Sequence, residues 1–289
     1  SRGLGDVYKR QVWLVGEPGC GAGFAARCLA ADYLYPAGGP HAEAVLKKED
    51  TECLVLQGEG ASGQIPVKKV REAREAIQRS ALSTDAAGRV LFIYGAQNLN
   101  GSSANAMLKI IEEPPEGVLF LLTATSAATV LPTIRSRCAA YTIAPVPAAD
   151  CAARLKAGRL PAKAAEELAF LYEGHIGTAL KSWNDPTAKA ALGMAKTLCG
   201  YAAQGDTYRA LALLTKYERD KDGFAALLWT LDQLCSAVLR RPAYGQEQCG
   251  GLTPAGAAKI LNADARARKS LTGNGNLRLN VAVLAGEIA

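Results

Sequence analysis

The residues best placed to do chemistry lie in a glycine-rich run, Gly16-Glu17-Pro18-Gly19-Cys20-Gly21-Ala22-Gly23. It follows an apolar stretch, residues 12–15, and opens a stretch of helical period, residues 24–34, which is the setting of a phosphate-binding loop. A working loop of this kind, G-x-x-x-x-G-K-[ST], surrounds phosphates with backbone N–H groups, neutralises them with its Lys and holds Mg²⁺ with its hydroxyl. Here Ala22 stands where the Lys belongs and Gly23 where the hydroxyl belongs. The run, with Gly16, Gly19, Gly21, Ala22 and Gly23 as its candidate binding residues, therefore reads either as a plain strand-to-helix turn or as a phosphate loop without turnover. Phosphoryl transfer also needs carboxylates at the end of a neighbouring strand, and the apolar run 90–93 ends in Tyr94-Gly95-Ala96-Gln97, with none. No intrinsic nucleotide hydrolysis is expected.

The other candidates are sparser. Arg137, in Ser136-Arg137-Cys138, reads by itself as a surface ion-pair residue. A helix starting near Ser102-Ser103 offers N–H groups and hydroxyls to an anion, with an ordinary N-cap as the other reading. His41 and His175 have no catalytic partner pattern and read as surface or packing residues, and Trp13, Trp183 and Trp229 as core or interface anchors. The eight cysteines form no C-x-x-C pair, so they read as reduced cytosolic thiols, and neither a disulfide framework nor a metal site is expected.

These residues must be held by ordinary globular architecture. Of the 289 residues, 49% are hydrophobic and 21% charged, which excludes a disordered or fibrous chain, and no apolar run is long enough to span a bilayer. The net charge of +6, with its excess in the C-terminal half, is too small to bind nucleic acid tightly without help from neighbours. Residues 1–11 have no starting Met and no hydrophobic period, and read as a non-native lead. Apolar runs at 12–15, 53–56, 90–94, 118–123 and 141–143 alternate with helical stretches at 24–34, 67–82 and 103–113, which predicts an α/β module around a parallel sheet over 12–147. Beyond it the text turns Ala- and Leu-rich with helical period. All-helical segments follow, at 148–157, 162–172, 178–183, 188–203, 208–217, 224–241, 254–268 and 276–288. A polar break at Asn184-Asp185-Pro186 divides a lid, 148–184, from a larger C-terminal bundle, 185–289.

Four stretches occurring in order carry a family likeness: Gly95-Ala96-Gln97-Asn98-Leu99-Asn100, Ala104-Asn105-Ala106-Met107-Leu108-Lys109, Glu112-Glu113-Pro114-Pro115, and Leu131-Pro132-Thr133-Ile134-Arg135-Ser136-Arg137-Cys138. They resemble the bacterial clamp-loader subunits of DNA polymerase III, which belong to the AAA+ class of P-loop-type folds. Gly174-His175-Ile176-Gly177-Thr178-Ala179-Leu180 looks like that family's lid-helix motif, and Asn276-Leu277-Arg278-Leu279 like its last collar helix, so the likeness covers residues 12–289.

The resemblance implies an AAA+ module with a degenerate site, a helical lid and an all-α collar for oligomerisation. The missing Lys and acids point to the member that keeps the fold without hydrolysing ATP. Its implied partners are gamma or tau subunits, the delta subunit, a sliding clamp and, through the complex, primer-template DNA. The implied place is the cytoplasm and the role that of a stator, not an enzyme by itself. Arg137 is implied to be an arginine finger, flanked by Ser136 and Cys138, reaching the γ-phosphate of ATP held by a neighbour; no cofactor of its own is required. Thr123 and Thr125 fall where the family's sensor lies and are expected to be structural. The family's usual four-Cys zinc module is missing, since residues 35–51 hold no Cys. The rival readings are an AAA+ ATPase with an unconventional site and a degenerate AAA+ adaptor outside replication.

Overall fold

The computed structural model describes residues 11–60, 63–78, 83–273 and 275–288. The chain divides into two compact units, 1–145 and 146–289.

The first unit alternates strands and helices: β1 (Gln11–Val15), α1 (Ala22–Leu34), α2 (Pro40–Lys47), β2 (Cys53–Gln57), α3 (Val67–Ile77), β3 (Arg89–Tyr94), α4 (Gly101–Glu112), β4 (Val118–Ala124), α5 (Pro132–Arg135) and β5 (Ala139–Thr142). Its five strands form one sheet in the order β2-β3-β4-β1-β5, every pairing parallel. Period-2 alternation sends Val90 and Phe92 of β3 to one face, with Ala26, Ala30 and Leu34 of α1. Leu91 and Ile93 go to the other, with Val70 and Ile77 of α3 and Met107 and Ile111 of α4. The sheet is thus covered on both faces, as parallel strands built of continuous apolar runs require.

Three features of this unit differ from the expectation. β1 begins at Gln11, one residue early: Gln11 pairs with Phe120 and its side-chain amide donates to Ile111 O at 3.2 Å, so it belongs to the fold and not to the lead. The remainder of that lead, residues 1–10, lies outside the described residues. Helix α2 was unforeseen because Pro40 reads as a breaker, yet it occupies the first helical turn, where a missing N–H costs nothing. The stretch before β5 holds a short helix, α5, again begun by proline.

The second unit is helical: α6 (Ala148–Ala157), α7 (Ala162–Leu171), α8 (Ile176–Asn184), α9 (Pro186–Gln204), α10 (Thr207–Leu214), α11 (Lys221–Arg240), α12 (Pro242–Gln248), α13 (Pro254–Thr272) and α14 (Leu277–Ile288). Phe224, Leu227, Leu228, Leu231, Leu234, Cys235 and Val238 put a continuous buried stripe on α11, which packs against α9 and α13. The expected break at 184–186 is a helix-to-helix junction: Asp185 caps α9, accepting from Thr187 N at 2.9 Å, and Ala179 before it shares one core with Ala195 and Leu198 after it. No helix among the described residues is long and apolar enough to cross a membrane.

Candidate functional site

The chemistry-bearing residues of the first unit collect at the two ends of its sheet. At the carboxyl ends of the strands, Gly16 continues β1 and donates its N–H to Ala124 O at 3.0 Å, tying the glycine-rich loop to the end of β4. A Cβ on Gly16 would lie 2.5 Å from Ile143 O and 2.4 Å from Cys20 Sγ, so glycine is required there. Gly21 starts α1 with φ +102°, a left-handed conformation. The loop backbone is therefore that of a strand-to-helix turn opening its N–H groups at the end of β1, with Ala22 and Gly23 in the first turn of the helix.

What occupies this end of the sheet was not visible in the sequence. Tyr94, the last residue of β3, lays its ring against the first turn of α1, and a Cβ on Gly23 would meet Tyr94 Cε1 at 3.4 Å. Behind it Arg27 donates to Gly23 O at 3.1 Å and to Leu46 O at 3.0 Å, while Lys48 Nζ lies 5.8 Å from the centre of the Tyr94 ring. Burial raises the Tyr94 phenol above its usual range, and the Arg27 guanidinium beside it offsets part of that rise. An aromatic ring thus stands at the strand end that in a working site carries a carboxylate. Thr123 is nearly buried and its Oγ1 accepts the Gly95 N–H at 3.2 Å, a bond that joins the ends of β3 and β4; Thr125 is exposed. Among the described residues no three His, Cys, Asp or Glu side chains gather as metal ligands.

The opposite end holds the other candidate. Arg137 lies two residues before β5, which opens with Ala139 opposite Val12, at the start of β1. The end of α4 is at the same edge, as the bond from Gln11 to Ile111 O shows. There Arg137 Nη2 is 2.7 Å from Glu112 Oε1, and Nη1 donates to Thr133 O at 2.9 Å and to Ser136 Oγ at 3.3 Å. Ser136 in turn donates to Thr133 O at 3.1 Å. Cys138 is buried in the core and anchors the segment. The structure therefore joins two stretches that the sequence offers separately, Glu112-Glu113-Pro114-Pro115 and Ser136-Arg137-Cys138. It places both the length of the sheet away from Gly16 to Gly23, on the order of 15–20 Å at about 3.3 Å per strand residue.

A third feature lies on α3 and α4. Arg71 and Arg74 of α3 and Ser102, Asn105 and Lys109 of α4 line a shallow groove of about 210 Å³. Helix α4 starts earlier than expected, capped by Asn100, whose Oδ1 accepts from Ser103 N at 2.9 Å. Ser103 is buried with its hydroxyl donating to Asn100 O at 3.1 Å, so of the two serines only Ser102 faces the groove.

Comparison with known proteins agrees with these motifs. The model of the family "DNA polymerase III, delta subunit" matches residues 37–147, the segment that contains β2 to β5 and Arg137. The Escherichia coli protein "DNA polymerase III subunit delta'" is 28% identical over 210 residues, 72% of this chain and 57% of that one. Its Pseudomonas aeruginosa namesake is 32% identical over 183 residues, 62% of this chain and 51% of that one. A "DNA polymerase III subunit gamma/tau" of Mycobacterium tuberculosis is 34% identical over 128 residues, 42% of this chain and 22% of that one. The chain spans no more than 57% of the length of any of these relatives. With the family model on the α/β unit and delta' relatives reaching into the helical unit, the chain is similar over these stretches to DNA polymerase III delta' subunits.

Proposed function

We propose that this chain is a non-hydrolysing stator of a clamp-loader assembly and that Arg137 is its arginine finger, offered in trans to ATP bound by a neighbouring gamma or tau subunit. The observation that carries the reading is the separation of Arg137 from the phosphate loop by the length of the sheet, which leaves the chain's own loop out of its reach. A guanidinium keeps its charge and makes bidentate contacts to phosphate, so at a neighbour's γ-phosphate it stabilises the charge of the transition state. The chain's own loop has no Lys, no Mg²⁺ hydroxyl and no strand-end carboxylate, and Tyr94 lies against its helix turn. The cations at this end, Arg27 and Lys48, lie against the Gly23 and Leu46 carbonyls and the Tyr94 ring, and replace neither the loop lysine nor the carboxylate that holds Mg²⁺.

In this reading ATP is held by the neighbours, the delta subunit completes the assembly, and a sliding clamp is placed on primed DNA in the cytoplasm. The groove of Arg71, Arg74, Ser102, Asn105 and Lys109 suits contact with backbone phosphates, which cations and hydroxyls grip without reading sequence.

The test is the DNA-stimulated ATPase of the reconstituted assembly with wild type or Arg137→Ala, beside the isolated chain. The expected result is no turnover by the isolated chain and partial loss in the complex, the signature of about 10³-fold or greater loss at one neighbour's site. Turnover by the isolated chain, or an unchanged complex, overturns the reading.

A further inference from the structure

The guanidinium of Arg137 is held from two sides: Nη2 on the Glu112 carboxylate and Nη1 on Thr133 O and Ser136 Oγ. Glu112 is an unusual residue for its place. It is the last residue of α4, followed by Glu113, and acidic side chains at a helix C-terminus face the negative end of the helix dipole. Neither carboxylate is favoured there by the helix itself. A cation brought in from another element removes that penalty for Glu112, and the cation that arrives is Arg137 from the segment after α5.

Both partners remain partly exposed, at 39% for the Arg137 side chain and 47% for Glu112. Such a bridge contributes little to folding stability, so its value lies elsewhere than in the core. A free arginine samples many rotamers and loses that freedom when it meets a phosphate. One already fixed at both Nη atoms has its plane set beforehand, and its remaining N–H groups are available to a second anion.

Resting on the finger role proposed above, we propose that Glu112 is a positioning residue for Arg137, which fixes the orientation of the guanidinium before the neighbour's nucleotide arrives. The contribution is to the rate of the step that Arg137 assists and not to binding of the nucleotide, because Glu112 acts only through the arginine.

The experiment is the DNA-stimulated ATPase of the reconstituted assembly carrying Glu112→Ala, Glu112→Gln, Arg137→Ala or the Glu112→Ala/Arg137→Ala pair, with Glu113→Gln as the charge-matched control. Glu112→Ala is expected to lower kcat about two- to fivefold with half-saturating ATP unchanged, an effect of the size of an exposed ion pair. Glu112→Gln, which keeps an acceptor for Nη2, recovers part of the loss, and Glu113→Gln has no effect. In the Arg137→Ala background Glu112→Ala adds nothing. A loss of the same size in that background, or an unchanged kcat for Glu112→Ala while Arg137→Ala lowers it, overturns the positioning role and leaves the finger intact. An unchanged rate with Arg137→Ala overturns both. Thermal unfolding of each variant, expected to match wild type, separates a folding defect from the effect sought.

Discussion

At the scale of single residues, the loop end of the sheet differs from a working site by substitution and by the aromatic ring that stands beside the loop. Ala22 removes a charge, Gly23 removes a hydroxyl, and the Tyr94 ring lies at van der Waals contact, 3.4 Å, from where a Cβ on Gly23 would stand. Restoring the lysine alone leaves the hydroxyl and the strand-end carboxylate missing and the ring in place. In a titration with a fluorescent ATP analogue, Ala22→Lys is expected to bind no better than wild type, whereas Ala22→Lys with Tyr94→Ala binds at least about tenfold more tightly, the equivalent of about 1.4 kcal/mol. Equal binding by the single and double variants would show that the ring is no obstacle. The sequence displayed the missing Lys and acids directly, because a motif is a local pattern. It hid what replaced them, since Tyr94 and Gly23 meet only when β3 and α1 are laid side by side. The pairing of Arg137 with Glu112 was hidden for the same reason: each belonged to a recognisable stretch, and only the return of the chain from β4 to β5 brings the stretches together.

Among the elements, α4 links two features, since Ser102, Asn105 and Lys109 along it line the basic groove and its last residue holds Arg137. The Asn100 cap fixes where that helix begins, accepting from both the N–H and the hydroxyl of Ser103. Asn100→Ala is expected to cost about 1 kcal/mol, lowering the melting midpoint of the α/β unit by about 2–4 °C, measured by circular dichroism; no change would mean that the cap is dispensable. The strands were legible as short continuous apolar runs, as in β3, and most helices by their apolar period, as in the stripe of α11. Helices α2, α5 and α12 escaped because each is short and begins at a proline, a residue that ends a helix and equally well starts one. The proline at 186 misled in the same way. It marks the first turn of α9, and the core runs past it without interruption.

For the molecule as a whole, the two units have separate cores, and all the helices from α6 to α14 draw on one of them. A fragment of residues 146–289 is therefore expected to fold alone, with a helical circular dichroism spectrum and one cooperative melt; a spectrum without helix would show that its core depends on the α/β unit. Strand-type runs stop at residue 143 in the sequence, close to where the two units divide, because the sheet is complete there. Inside the first unit, the placing of the glycine-rich loop at one edge of the sheet and Arg137 at the other gives the module a direction. In a row of such modules stacked head to tail, each hands a guanidinium to the next and receives one from the last. Under the function proposed above, this chain has an arginine to hand on and no working site at which to receive one. On that proposal a row can begin with it but cannot pass through it: copies stacked on one another would bring each arginine to a loop that lacks the lysine, and only a junction with a different chain would be productive.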